Sequence, residues 1–102
     1  MGQFVPIVRA DEVADGTGRE VTVAGRVVAL FRIGDEFFAL DGICPHAGGP
    51  LGQGSLSGCI VTCPWHGWQF DVSTGRHALN PRLQQPCFPV RVHEGQVEVE
   101  LP

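Results

Sequence analysis

The sequence predicts an all-β fold, a barrel or sandwich carrying one inserted functional segment. Short runs rich in Val, Ile, Phe and Leu recur along the chain, punctuated by 14 glycines and 8 prolines. That is the pattern of strands separated by turns. Gly34-Asp35 and Glu94-Gly95 each stand between two such runs and predict hairpins. No stretch has the apolar spacing of a long amphipathic helix, and there is no internal repeat.

Taken in order, residues 4–9 form a first strand and residues 11–15 a short helical turn, broken by Gly16-Thr17-Gly18. Residues 21–23 alternate as a strand does until Gly25 interrupts them. The β-rich run 27–31 and the run 37–40 are the arms of the first hairpin. Between residues 41 and 75 the periodicity is broken by Gly, Pro, Cys and His, which marks the insertion. Regular pattern returns at 87–92 and 96–101, the arms of the second hairpin.

A chain of 102 residues allows one domain. At 43 % hydrophobic residues and a net charge of −4 it has too much apolar content for disorder. All seven basic residues are Arg and none forms a run, so no nucleic-acid partner is expected. No apolar stretch reaches the roughly 18 residues of a transmembrane helix. Residues 1–6 lack the basic patch and apolar core of a secretion signal. The expected location is therefore the cytoplasm, with no membrane association. There, four cysteines are ligands or free thiols rather than two disulfides.

The insertion holds Cys44-Pro45-His46 and, after sixteen residues, Cys63-Pro64-Trp65-His66. Two thiolates and two imidazoles, in two short pairs, suit a soft or borderline metal. Glycines beside them let backbone N–H groups approach sulfur, and prolines set loop shape. A tetrahedral zinc module accepts the same ligands, but zinc fingers pair like with like, and each pair here is mixed. A mixed set divides instead into two cysteines on one iron and two histidines on the other, which is the ligation of a Rieske [2Fe–2S] centre.

The segments Cys44-Pro45-His46-Ala47-Gly48-Gly49-Pro50-Leu51 and Cys63-Pro64-Trp65-His66-Gly67-Trp68-Gln69-Phe70-Asp71 resemble the two cluster-binding loops of Rieske proteins. The likeness extends over most of the chain. Residues 52–56 are similar to the family's strand between the boxes, and residues 80–89 to its proline-containing third loop. The resemblance implies a β-sandwich-like barrel forming one domain over residues 1–102, with a cluster-binding subdomain at about 41–75. It implies one [2Fe–2S] cluster held by Cys44, His46, Cys63 and His66.

The resemblance also separates subtypes. High-potential respiratory Rieske proteins add one cysteine to each loop, at the positions of Gly49 and Trp65 here. They place a serine donor at the position of Trp68 and use a tyrosine donor, whereas this chain has no Tyr. Hydrogen bonds to cluster sulfurs favour the reduced state. Their loss predicts the low end of the Rieske range, about −150 mV. The potential should still exceed that of an all-cysteine cluster, because the oxidised mixed cluster is neutral and a four-thiolate cluster carries two negative charges. Free imidazole nitrogens should bind protons more tightly after reduction, so the potential should fall as pH rises through the oxidised-state histidine pKa.

Four protein ligands leave no open iron position, so the expected role is electron transfer rather than catalysis. The resemblance implies a ferredoxin taking electrons from a flavin-containing reductase to a terminal oxygenase, as in ring-hydroxylating dioxygenase systems. The alternatives are the small subunit of an assimilatory NAD(P)H nitrite reductase, bound to its large subunit, and a structural zinc module. Cys59 and Cys87 read as buried inert thiols, His77 and His93 as surface residues, and Phe37, Phe38 and Phe70 as core. Trp65 and Trp68 read as shields of the metal site, Trp65 also reaching a partner, with plain packing as the competing reading. Residues 71–75 read as a strand ending in a glycine turn.

Overall fold

A computed structural model of the chain describes residues 3–44, 48–65, 67–80 and 82–101. Its strands are β1 (Gln3–Arg9), β2 (Gly18–Val23), β3 (Arg26–Ile33), β4 (Glu36–Asp41), β5 (Ser55–Ser57), β6 (Ile60–Thr62), β7 (Gln69–Asp71), β8 (Cys87–Phe88), β9 (Val90–His93) and β10 (Gln96–Leu101). Two single 3-10 turns, Ala10–Glu12 and Leu51–Gln53, interrupt them. The expected all-β class is observed. Among the described residues no helix is long and apolar enough to cross a membrane.

The strands form three antiparallel sheets, ordered β1-β10-β9, β2-β3-β4-β8 and β5-β6-β7. Turn chemistry accounts for the tight hairpins. Ala24-Gly25 and Glu94-Gly95 both take left-handed dihedrals, φ 52° and 74° in the first pair and 51° and 78° in the second. That is the signature of type I′ turns, whose twist matches the flanking strands. Gly34-Asp35 joins β3 to β4 as expected.

Strand alternation puts β3 at the centre. Its side chains point to opposite faces in turn. Val28 and Leu30 enter a core shared with Val97 and Val99 of β10, while Ala29 and Phe31 enter a second core shared with Val61 and Phe70 of the third sheet. All four β3 residues are fully buried, as a strand covered on both faces must be. Burying each large side chain is worth about 1.5–3 kcal/mol. β4 divides likewise, Leu40 to the second core and Ala39 to the first. The barrel sheets thus form a platform, and the third sheet with its loops is packed on one face of it.

Three expectations need correction. The run 87–92 is not one strand. β8 pairs with β4 and β9 with β10, and the chain changes sheets at Pro89, which has no N–H for either ladder. The strand expected between the loops over residues 52–56 begins only at Ser55, after the 3-10 turn. Cys59 is not a buried thiol, because Ser57 pairs with Ile60 and leaves Gly58-Cys59 as the exposed tip of a two-residue hairpin.

Candidate metal centre

Cys44 lies three residues past the end of β4, in a loop stitched closed at its base. Gly42 N–H donates to Val27 O at 2.9 Å, and Leu51 N–H donates to Gly42 O at 3.0 Å. Within the loop, Cys44 N–H donates to Gly49 O and Gly48 N–H donates to Cys44 O, both at 2.9 Å. Gly48 takes φ 73°, which a side chain would oppose. Cys63 follows β6 directly, and its N–H donates to Trp68 O at 2.7 Å, closing the second loop. Gly67 inside that loop takes φ 75°.

These two loops bring Cys44 and Cys63 together. Both are 1 % exposed and free, and both belong to the second core with Leu51, Phe70 and Val72. The Cys63 thiol is held above its ordinary value, first by burial, and also by a side-chain hydrogen bond to Cys44 and that group's charge. The Trp65 backbone N–H, donating to the Cys63 sulfur, opposes this rise. Two buried sulfurs side by side are suited to a cationic centre able to compensate both thiolates. The donor set therefore fits an iron-bearing group. Gly49 lies against it, since a Cβ there would sit 2.7 Å from Cys63 Sγ and 2.9 Å from Trp65 Cβ. Gly49 and Trp65 are thus neighbours, with the indole packed over the glycine.

His46 and His66, with Pro45 and Ala47, lie outside the described residues, as does Pro81 of the third loop. Among the described residues no group of three or more His, Cys, Asp or Glu side chains forms.

The remaining residues divide. Phe70 is fully buried, while Phe37 and Phe38 are half-buried and pack on the two cores. Trp65 is 51 % exposed, and Trp68 is half-buried against the second core. His93 is exposed, 3.7 Å from Glu94. His77 departs from its expected surface role. Its ring meets Trp68 edge-on at 4.8 Å and Phe70 at 5.3 Å. Its Nδ1 accepts from the N–H groups of Leu79 and Asn80, each at 3.1 Å. Cys87 is exposed, but its sulfur is packed near Gly75, and burial, followed by the charge of Asp71, pushes its thiol up. The strand expected over residues 71–75 instead ends at Asp71, and only the turn is as expected, with the Asp71 carboxylate accepting from Ser73 N–H at 2.9 Å and Gly75 at φ 79°.

Sequence reasoning passed over Gln85. It is 2 % exposed, and its Nε2 donates to Asp41 O at 2.6 Å and to Ile43 O at 2.7 Å. Only a polar residue in an otherwise proline-flanked segment signals it in the sequence.

Comparison with known proteins agrees with this geometry. The model of the Rieske [2Fe–2S] domain matches residues 3–95. The ferredoxin component of the p-cumate 2,3-dioxygenase system of Pseudomonas putida is 38 % identical over 102 residues, covering 96 % of this chain and 86 % of that protein. A chain of the complex of reduced oxygenase and oxidized ferredoxin in carbazole 1,9a-dioxygenase superposes with a TM-score of 0.86 at 36 % identity, over 94 % of this chain and 91 % of that one. A Mycobacterium tuberculosis protein assigned as an NADH-dependent nitrite reductase small subunit superposes with a TM-score of 0.90 at 25 % identity, over 100 % of this chain and 97 % of that one.

Proposed function

This chain belongs to the Rieske [2Fe–2S] family, and from that premise we propose that it serves an oxygenase system in the cytoplasm, taking one electron from a flavin-containing reductase and passing it to a terminal oxygenase. It is an electron-transfer component with one [2Fe–2S] cluster, not a catalyst. Family membership sets aside the structural zinc module.

The observation that carries the reading is the pair of adjoining, buried cysteines, one from each loop. In this reading Cys44 and Cys63 hold one iron and His46 and His66 the other, within a cluster-binding subdomain at about 41–75. When bound, such a cluster supplies the capacity to accept and release a single electron. The chain's own residues do the rest. Burial of both cysteines keeps water from the sulfurs. The Trp65 N–H favours negative charge on Cys63. Trp68 and Gly49 bring no hydroxyl or thiol, in keeping with a low potential.

Exposed apolar side chains stand on the loops around this pair: Ile43 at 52 %, Trp65 at 51 % and Leu79 at 86 %. Contiguous apolar patches mark contact surfaces, and Trp is a common anchor of interfaces. This end is the proposed docking face for the oxygenase. Reconstitution tests the assignment. The purified chain should restore electron flow from a flavoprotein reductase to a dioxygenase of the ring-hydroxylating class, and failure with every such pair would contradict it.

The likeness to the nitrite reductase small subunit supports a second reading, in which the chain is bound to the large subunit of such an enzyme. Purification from its native cell separates the two, since co-isolation with that large subunit favours the second.

A further inference from the structure

Gln85 and Glu98 are the buried polar or charged residues among those described, and Glu98 is answered by Arg91 at 2.7 Å. Gln85 has no charged partner. Its amide instead spends both N–H groups on two carbonyls of one short segment, Asp41 O and Ile43 O. The backbone reinforces the grip, with Asp41 N–H donating to Pro86 O at 2.9 Å and Gln85 N–H donating to Gly75 O at 2.7 Å.

Two carbonyls two residues apart that converge on one nitrogen require the chain to turn between them. The residue after that turn is Cys44, whose sulfur meets Cys63 in the core. We infer that Gln85 is a positioning residue. It fixes the lead-in to Cys44 from across the fold and thereby holds the sulfur in place for the cluster. This rests on the ligand assignment proposed above. Nothing smaller does the task, because asparagine would fall one methylene short, and an apolar side chain would leave two partly buried carbonyls without this donor.

Gln85→Met keeps length and bulk and removes both donors. Gln84→Met is the matched control, since Gln84 is exposed and donates only to Thr74 O at 2.9 Å. Peptide-resolved hydrogen exchange on the cluster-loaded protein should show exchange at residues 41–44 accelerated about fivefold or more in Gln85→Met, with β1 and β10 unchanged. The half-life of the visible cluster absorbance under a chelator should shorten by a similar factor. Gln84→Met should match the unaltered chain in both. Unchanged exchange at 41–44, or acceleration spread equally over β3 and β10, would overturn the inference. If Gln85→Met does not fold, Gln85→Glu decides, because its carboxyl can offer one proton where the amide offers two; exchange at 41–44 equal to that of the unaltered chain would again overturn it. Iron and sulfide analysis of the unaltered chain, made before any exchange is measured, separates the two failures: an unaltered chain that never binds them refutes the ligand assignment instead.

Discussion

Gly49→Ala is the sharpest test of the described packing. Gly49 has an ordinary backbone conformation, so alanine there meets no dihedral strain and the cost is steric alone. The added methyl would lie 2.7 Å from Cys63 Sγ and 2.9 Å from both Cβ and Cγ of Trp65. Ordinary contact begins near 3.4 Å, so sulfur and indole must each retreat by several tenths of an ångström. Neither can do so freely. Cys63 is pinned by its N–H bond to Trp68 O, and the Trp65 N–H follows the sulfur. Overpacking of this kind costs about 1–3 kcal/mol. The loss should appear as a lower denaturation midpoint and as incomplete cluster loading, read by iron content and visible absorbance. Gly58→Asn, at a hairpin tip with φ 59° and open space around it, should change stability by about 0.5 kcal/mol or less and leave loading intact. If Gly49→Ala loads fully and is as stable as Gly58→Asn, the contact of Gly49 with Cys63 is not as described.

Other outcomes follow from the same structure. The midpoint potential should lie near the low end of the Rieske range, about −150 mV, and a titration giving a value well above zero would contradict the reading of Trp68 and the missing tyrosine. Reduction should tighten proton binding on the imidazoles, so the potential should fall by up to about 59 mV per pH unit for each coupled proton between the oxidised and reduced pKa values. His46→Cys or His66→Cys should lower the potential and flatten that slope in a pH-resolved titration. Trp65→Ala should weaken docking to the oxygenase by about 2 kcal/mol while leaving the potential nearly unchanged, because the backbone N–H at Cys63 remains. Burial raises the thiols of Cys63 and Cys87, so the folded metal-free chain binds protons more tightly there than the unfolded one. Its stability should be full below the ordinary thiol range of about 8.5 and fall as pH rises through the raised values, as denaturation midpoints across that range would show.

Much of this was legible in the sequence because it is local. The hairpins at Gly34-Asp35 and Glu94-Gly95 follow from turn chemistry within a few residues. The two Cys-and-His pairs stand out by their spacing, and the structure brings the two cysteines together. What escaped is either masked or long-range. At Gly58-Cys59 an apolar run, residues 59–61, hid a turn that the glycine was signalling. At Pro89 alternation continued across a change of sheet, although the missing N–H was already a reason to break the strand. His77 and Gln85 are different in kind. His77 finds Trp68 and Phe70, and Gln85 reaches carbonyls 42 and 44 positions away. No pattern along the chain encodes such contacts, because the fold creates them.

In the proposed reading, two cysteines and two histidines of this chain share one [2Fe–2S] cluster. Electron paramagnetic resonance of the reduced protein tests it most directly, alongside iron and acid-labile sulfide analysis of the same sample. Two irons and two sulfides per chain are expected, with a rhombic signal whose average g-value lies below that of all-cysteine clusters. An all-cysteine average g-value, or one colourless zinc per chain, would contradict it.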